Sequence, residues 1–432
     1  MALGGGIWTT MNKTLPGAYI NYISVQRAGI NISDRGVCAL PIELNWGAEG
    51  VIEVKAKHIS DDCMSLFGYP IDDVRMKPIR EVFKNASTCY FYRLNAGEKA
   101  SCAFSTAKYS GVRGNDIKHV ITVDIDEETK YNVDTYMGTT LVDTQTVSNA
   151  SELVDNEYVV FIKDATLEAT AGINLTGGSN GAVSGTSHQE ALEALESYSF
   201  NALGCMSDVD SVKAVYASYT KRMRDEIGSK FQLIVYNYVS DCIGVINVPC
   251  TVTDSNIAYA LVPWVVGAEA GCAVNATLEN KKYDGEYTIN TNMSQLALRN
   301  AIAAGQFVFH KVGTEVHVLS DINSYTTLTK EMNEDFQLNQ VVRVLDQIAT
   351  DIGATFNSKY IGKIQNNVDG RISLWSDIVD LFKKLQTIGA IEEFETDDIV
   401  VEAGAGKRDV VVNVVIKPIC SMSKLYMTVQ VN

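Results

Sequence analysis

The chain has 432 residues, 46% of them hydrophobic and 20% charged, and its mean hydropathy is zero. That length and apolar content supply core for roughly two to four globular domains and exclude a disordered chain. The formal charge of −16, from 52 acidic against 36 basic residues, argues against nucleic acid as a partner, because gripping phosphates needs a basic face.

No apolar run approaches the ~20 residues that cross a bilayer, so no membrane partner is expected. The opening MALGGGIWTTMNKT lacks the basic-then-apolar order of a secretory signal. The nine cysteines are odd in number and form no C-x-x-C pair, which reads as reduced, mostly buried thiols of a protein made in a cytoplasm. His310 and His317 flank a Val312-Gly313-Thr314 turn and are expected to face each other across a hairpin. With no third ligand nearby they make no metal site, and no cofactor or small-molecule ligand is expected.

In chain order, GAYINYISV and VCALPIEL read as strands, and Ile59–Phe67 and Ile79–Lys84 carry helical periodicity. CYFYRL at 89–94 reads as a buried strand. Between about 95 and 172 the texture changes: KHVITVDID, KYNVDTYM and EYVVFIK alternate apolar and polar residues between Gly, Asn and Asp, the pattern of an antiparallel β module. The glycine-rich NLTGGSNGAVSGTSHQEALEAL (174–195) closes it. Helix and strand then alternate: HQEALEALESY, FNALGC, VKAVYASYTKRMRDEI, FQLIVYNYV. Such alternation predicts a largely parallel, covered sheet. The reading is an α/β core made of residues 24–94 and 186–320, with an antiparallel β domain, 95–185, inserted between.

A C-terminal α+β region, 321–422, follows. DFQLNQVVRVLDQIATDIG and SLWSDIVDLFKKLQTIGAI read as amphipathic helices, the second with Leu374, Ile378, Leu381, Phe382, Leu385 and Ile388 on one stripe. RDVVVNVVIKP and LYMTVQVN read as strands, the latter setting Leu425, Met427, Val429 and Val431 against Tyr426, Thr428, Gln430 and Asn432.

The glycine loop invites two chemical readings, and both fail on residue identity. A phosphate loop needs G-x-x-x-x-G-K-[ST], yet no glycine of the loop precedes a lysine, and G-x-G-x-x-G is missing. Gly404-Ala405-Gly406-Lys407-Arg408 has Val401 and Arg408 in place of the first glycine and the hydroxyl, and a strand follows it. Gly185-Thr186-Ser187 opens like a subtilisin serine motif but continues His188-Gln189-Glu190, and neither His58 nor His119 sits in a matching context. Ser187 and Glu190 fit a helix capping box, S-x-x-E. Paired acids such as Asp61-Asp62 and Asp397-Asp398 read as solvated turns. No catalytic residue is expected. The chain ends are more telling: apolar-alternating strands at both ends pair either inside their own subunit or with another chain.

NKTLPGAYINYIS, SDRGVCALPIELNWG, VFKNASTCYFYRLNAG, AKYSGVRGNDI, SYSFNALGC and TKRMRDEIGSKFQ together resemble the contractile tail sheath proteins of myophages and phage-tail-like bacteriocins, in the version found in Gram-positive hosts. The likeness runs over essentially the whole chain. It implies a structural subunit, not an enzyme: stacked hexameric rings around a tail tube, contracting to drive the tube through a host envelope. It implies a subtilisin-like, non-catalytic core, an outward-facing β domain and a tube-facing C-terminal domain. The arms 1–23 and 423–432 are expected to exchange strands between subunits, through Ala18, Tyr19, Ile20, Asn21 and Tyr22 and through Leu425, Tyr426, Met427, Thr428, Val429, Gln430 and Val431. The expected partners are further copies, the tail tube protein, and baseplate and tail terminator proteins, in a virion tail assembled in the bacterial host cytoplasm. Asp377, Asp380, Lys383 and Lys384 are the candidates to face the tube, with helix 335–352 as the alternative. Gly177, Gly178, Gly181 and Gly185 are the expected hinge between the β domain and the core. The competing readings are another assembling virion component such as a tube protein, and a subtilisin-like hydrolase.

Overall fold

A computed structural model describes residues 32–431. The expected N-terminal strand Ala18–Tyr22 lies outside the described residues. The core sheet is built from β1 (Val37–Ile42), β2 (Gly50–Lys55), β3 (Thr88–Arg93) and three strands contributed after the β unit. Between β2 and β3 lie α1 (Ile59–Phe67) and α2 (Lys77–Phe83). The run VCALPI does not alternate because both faces of β1 are covered: Cys38, Leu40 and Ile42 join one core cluster and Ala39 the other.

The chain then leaves for the β unit: β4 (Ser105–Ala107), β5 (Ile117–Val123), β6 (Tyr131–Met137), β7 (Thr140–Val147), β8 (Val159–Phe161) and β9 (Thr170–Asn174). Four strands form an antiparallel sheet ordered β7-β6-β5-β9, and β4 pairs β8 separately. One face of the sheet is apolar, so Ile117, Ile121, Val133 and Met137 bury together. Trp46, from the core loop after β1, plugs the same cluster and meets Tyr109 edge-on at 5.3 Å.

On return come α3 (Gly185–Leu195), β10 (Ala202–Cys205), α4 (Asp210–Arg222), β11 (Gln232–Tyr236), β12 (Val245–Val248), α5 (Val262–Gly271), α6 (Gln295–Ala303), and the hairpin of β13 (Phe309–Val312) and β14 (Glu315–Val318). The sheet runs β12-β11-β10-β1-β3-β2, parallel from β12 to β3 with β2 its antiparallel edge. Helices α3 and α4 cover one face, α1, α2 and α5 the other. Every residue from Val262 to Ala270 of α5 is buried, as a helix apolar all round must be. In the hairpin His310 pairs with His317 across the strands.

The C-terminal unit comprises α7 (Asn339–Thr355), α8 (Val368–Thr387) and the hairpin of β15 (Ile399–Ala403) and β16 (Val410–Val414). The terminal segment LYMTVQVN differs from its expected strand: its described residues form neither helix nor strand within the chain. A strand is defined by a partner, and alternation alone does not supply one.

Candidate assembly surfaces

The glycine loop sits where the chain re-enters the core. It crosses the outgoing segment as an antiparallel pair, bridging Glu98 to Ser179 and Ser101 to Thr176. Gly178 exchanges two 2.8 Å hydrogen bonds with the Asn115 amide, its N–H donating to Oδ1 and its carbonyl accepting from Nδ2. A Cβ at Gly181 would stand 1.5 Å from the Ala96 carbonyl oxygen, and one at Gly178 2.6 Å from that of Gly111. These two glycines therefore permit close backbone crossing, a tighter role than the loose hinge expected of them. Gly177 takes a left-handed φ of 85° with open space around it, and Gly185 is the first residue of α3. The helix cap also moves. Ser184 is the N-cap, accepting from the Ser187 N–H, and Ser187 is the third helical residue of a Ser184/Ser187 capping box. The expected Ser187/Glu190 cap is displaced by one turn because the helix starts earlier than the apolar stripe does.

Helix α7 is fixed to the core by buried charge. Arg343 donates from Nε and Nη2 to the Glu269 carboxylate at 2.9 and 2.7 Å, from Nη2 to Asp321 at 3.3 Å, and from Nη1 to the Ala276 carbonyl at 2.6 Å. Burial alone would depress the guanidinium pKa, but attraction to Glu269 and Asp321 outweighs it and holds Arg343 charged. One turn on, Asp346 accepts both Arg224 nitrogens at 2.7 and 2.8 Å, and Asp351 receives Ser33 and Gln347. The polar side chains of the first three turns of α7 are thus spent inside the chain. Sequence reading missed this network, although an arginine within the apolar QVVRVL was its signal.

Helix α8 buries Leu374, Ile378, Leu381, Phe382 and Leu385 as its stripe predicts, while Ile388 falls past the helix end and stays exposed. Asp377 departs from the expected polar face. It is buried, and its carboxylate accepts from Lys359 Nζ and the Tyr360 hydroxyl, both at 2.5 Å. Burial and then the hydrogen bond to Asp377 raise the Tyr360 pKa, so the hydroxyl remains the donor. Asp380 and Lys383 are exposed and Lys384 is half-buried.

The hairpin β15–β16 lies on α8, with Val401, Val410 and Val412 against the helix and Val400 and Val411 turned to solvent. It is a two-stranded sheet, so each strand keeps an open edge among the described residues. Beyond it the chain is anchored by Glu392 N–H to Lys417 O (2.8 Å), Ile419 N–H to Ala390 O (3.0 Å) and Ser421 N–H to Gln340 Oε1 (3.1 Å). The last anchor among the described residues is Ser423 on Glu279. After it Leu425, Tyr426 and Val431 are 86%, 87% and 91% exposed, and Met427 and Val429 are exposed too.

The other expected chemistry is internal. Burial pushes the thiols of Cys63, Cys205 and Cys272 up to about 12, which makes them poor nucleophiles. Burial also lowers the pKa of His310, with a contribution from His317. Among the described residues no helix is long and apolar enough to cross a membrane.

A covered, mostly parallel sheet, a separate antiparallel β unit and a helix-on-hairpin unit define a mixed α/β protein of several sheets, with a two-stranded hairpin and an apolar tail exposed among the described residues. Three family models match it: the phage tail sheath protein beta-sandwich domain over residues 95–180, the central domain over 181–324 and the phage tail sheath C-terminal domain over 331–432. The chain is 31% identical over 470 aligned residues to the phage-like element PBSX protein XkdK of Bacillus subtilis (strain 168), covering 100% of both. Its fold matches the sheath tail protein of Desulfitobacterium hafniense with a TM-score of 0.84 at 35% identity, over 95% of this chain and 99% of that one. The helical sheath of the anti-feeding prophage, solved in a contracted state, shares the fold at 12% identity and a TM-score of 0.55, over 96% of this chain and 99% of that one. The chain belongs to the phage tail sheath family, a family of structural proteins.

Proposed function

We propose that this chain is the repeating subunit of a contractile sheath, forming stacked hexameric rings around a tail tube and contracting to drive the tube through a host envelope. The observation that carries this reading is the pairing of an exposed apolar tail, Leu425–Val431, with an open-edged hairpin, β15–β16, in the same chain. A tail of one copy adds to the hairpin edge of another through main-chain hydrogen bonds. Such bonds are tolerant of side-chain identity, so they act as joints while side-chain contacts are remade between an extended and a contracted packing. The N-terminal Ala18–Tyr22 segment serves as a second exchanged strand. In this arrangement the 95–185 domain faces outward and the 321–422 domain faces the tube, with Asp380, Lys383 and Lys384 at the tube surface. The baseplate and a tail terminator bound the polymer, which belongs to the tail of a virion or tail-like particle assembled in the host cytoplasm. The core acts as scaffold, with no catalytic role. Purified protein is expected to form tubes in negative stain, and deletion of 424–432 is expected to leave folded subunits that do not polymerise. A deletion variant that still makes tubes would remove the tail from the mechanism.

A further inference from the structure

The C-terminal unit is electrically polarised along α8. At the N-terminal end of the helix, Lys363, Lys407 and Arg408 are exposed and Arg371 is half-buried, and none of the four has a carboxylate partner among the described residues. The hairpin turn is held to this end by the Asn366 amide, which donates to the carbonyls of Lys407 (3.2 Å) and Asp409 (2.9 Å). Asp369 and Asp409 are the local acids, and Asp409 is occupied in capping the turn through the Gly406 N–H. Lys359 is neutralised by Asp377. Arg371, Lys407, Arg408 and Asp409 line a cleft of about 670 Å³ between the turn and the helix, together with exposed Ile361 and Ile364, while Lys363 stands beside it in sequence and Val368 and Ile372 are exposed on the first turns of α8.

The opposite end is acidic. The segment after α8, Ile391–Asp398, carries exposed Glu392, Glu393, Glu395 and Asp397, none of them ion-paired among the described residues, and the bases at this end are Lys417 and, in the last turn of α8, Lys383 and Lys384. Phe394 places it against Phe382, ring centroids 5.6 Å apart. Phe382 lies fourteen residues along the helix from Val368, so the Phe394 part of the segment stands roughly 20 Å from that end at 1.5 Å per residue, while its far end runs back to Ile399, whose carbonyl accepts from Trp375 Nε1. Ile388 and Ile419 give this end its own exposed apolar surface. The basic cleft and the acidic segment therefore complement each other in charge and in apolar content, yet Glu392, Glu393 and Phe394 sit at the far end of α8 and do not meet the cleft within one copy.

We propose that the basic cleft of one copy docks the Ile391–Asp398 segment of the next, a head-to-tail contact that rests on the assembly reading above. A contact between two different patches of one chain is heterologous and propagates round a ring, where a patch meeting itself would stop at a dimer. Interleaved charge across it selects the register and disfavours like-pole contacts. It also accounts for how a chain of net charge −16 packs against itself, since the basic cleft concentrates scarce cations at one contact.

The test uses two full-length variants. One carries Lys363→Glu, Lys407→Glu and Arg408→Glu, the other Glu392→Lys, Glu393→Lys and Asp397→Lys. Each alone is expected to raise the protein concentration needed for tube formation by about tenfold or more, because like charges then face each other. An equimolar mixture restores tubes, since each variant's altered end matches the other's, and a ring with an even number of places accommodates strict alternation. Variants that polymerise singly like the parent overturn the contact and leave the assembly reading standing. So does a mixture without rescue, since circular dichroism of each variant separates misfolding from a misassigned contact. A parent chain that forms no tubes overturns the assembly reading and the contact with it.

Discussion

Arg343 and Glu269 form a two-point ion pair, 2.9 and 2.7 Å, with both side chains wholly shielded from solvent. It joins the first helix of the C-terminal unit to the innermost helix of the core, so the two move as one body where they meet. Removing Glu269 leaves the buried Arg343 with only its longer 3.3 Å ion pair to Asp321, and breaking a buried ion pair typically costs 3–5 kcal/mol. Glu269→Ala is expected to lower unfolding stability by about that amount in urea titrations, while Glu269→Ala combined with Arg343→Met recovers part of it. A single-variant loss below about 1 kcal/mol would contradict a charged, fully desolvated pair.

A second prediction concerns pH and the β unit. His119 is buried between Ser105 Oγ (2.7 Å) and Thr135 Oγ1 (3.3 Å), and burial lowers its pKa to about 4. The unfolded chain therefore binds the proton first. The neutral-histidine contribution is complete above pH ~6.5 and is lost progressively as pH falls towards 4, by about 3 kcal/mol at pH 4. Denaturation midpoints of the parent and of His119→Gln are expected to diverge least at pH 4.5 and most at pH 7.5. Parallel pH profiles would place the histidine in contact with solvent.

Features decided by burial over a local stretch were legible in the sequence. VCALPI reads as a doubly covered strand because its apolar run is continuous, and the His310–His317 pairing follows from turn length alone. What escaped was set by segments distant in sequence. Asp377 looks solvent-facing on a helical wheel, yet Lys359 and Tyr360, from a turn that packs beside it, draw it inward. Gly181 and Gly178 look loose until their crossings with Ala96 and Gly111, 85 and 67 residues upstream, are known. Ser184 and Ser187 both match a capping pattern, and only the backbone decides which begins the helix. The tail Leu425–Val431 reads as a strand and pairs with no strand among the described residues, which is information that no single sequence carries.

The four loop glycines separate by their surroundings. Gly181→Ala forces a methyl into the Ala96 carbonyl and is expected to cost on the order of 2–3 kcal/mol. Gly177→Ala has room but a left-handed φ of 85°, which costs about 1 kcal/mol. Gly185→Ala meets nothing within 4 Å and sits in the first turn of α3, so it is expected to stabilise by up to about 1 kcal/mol. Thermal melts of the three variants check the ranking. Equal effects would mean that the crossing opens readily in solution, as a hinge does.

The remaining prediction bears on the tube. Lys383 is exposed on α8 and Lys384 half-buried beside it, one turn beyond exposed Asp380, on the helix face that the stripe of Leu374, Ile378 and Leu381 leaves outward. Exposed pairs contribute only ~0–1 kcal/mol each, so a few of them hold a sheath in register with its tube and release cheaply when subunits shift. Repeated at every subunit along a tail, even such weak contacts sum to a firm hold. Lys383→Glu with Lys384→Glu is expected to leave self-assembly into tubes intact while lowering co-assembly with the tube protein, scored as the fraction of filled sheaths in micrographs. The matched Asp380→Asn change is expected to have a smaller effect, since it removes one charge where the lysine reversals change the local charge by four. Filled sheaths at the parental fraction for both variants would move the tube contact away from α8. Loss of empty tubes as well would assign these lysines to contacts between sheath subunits instead.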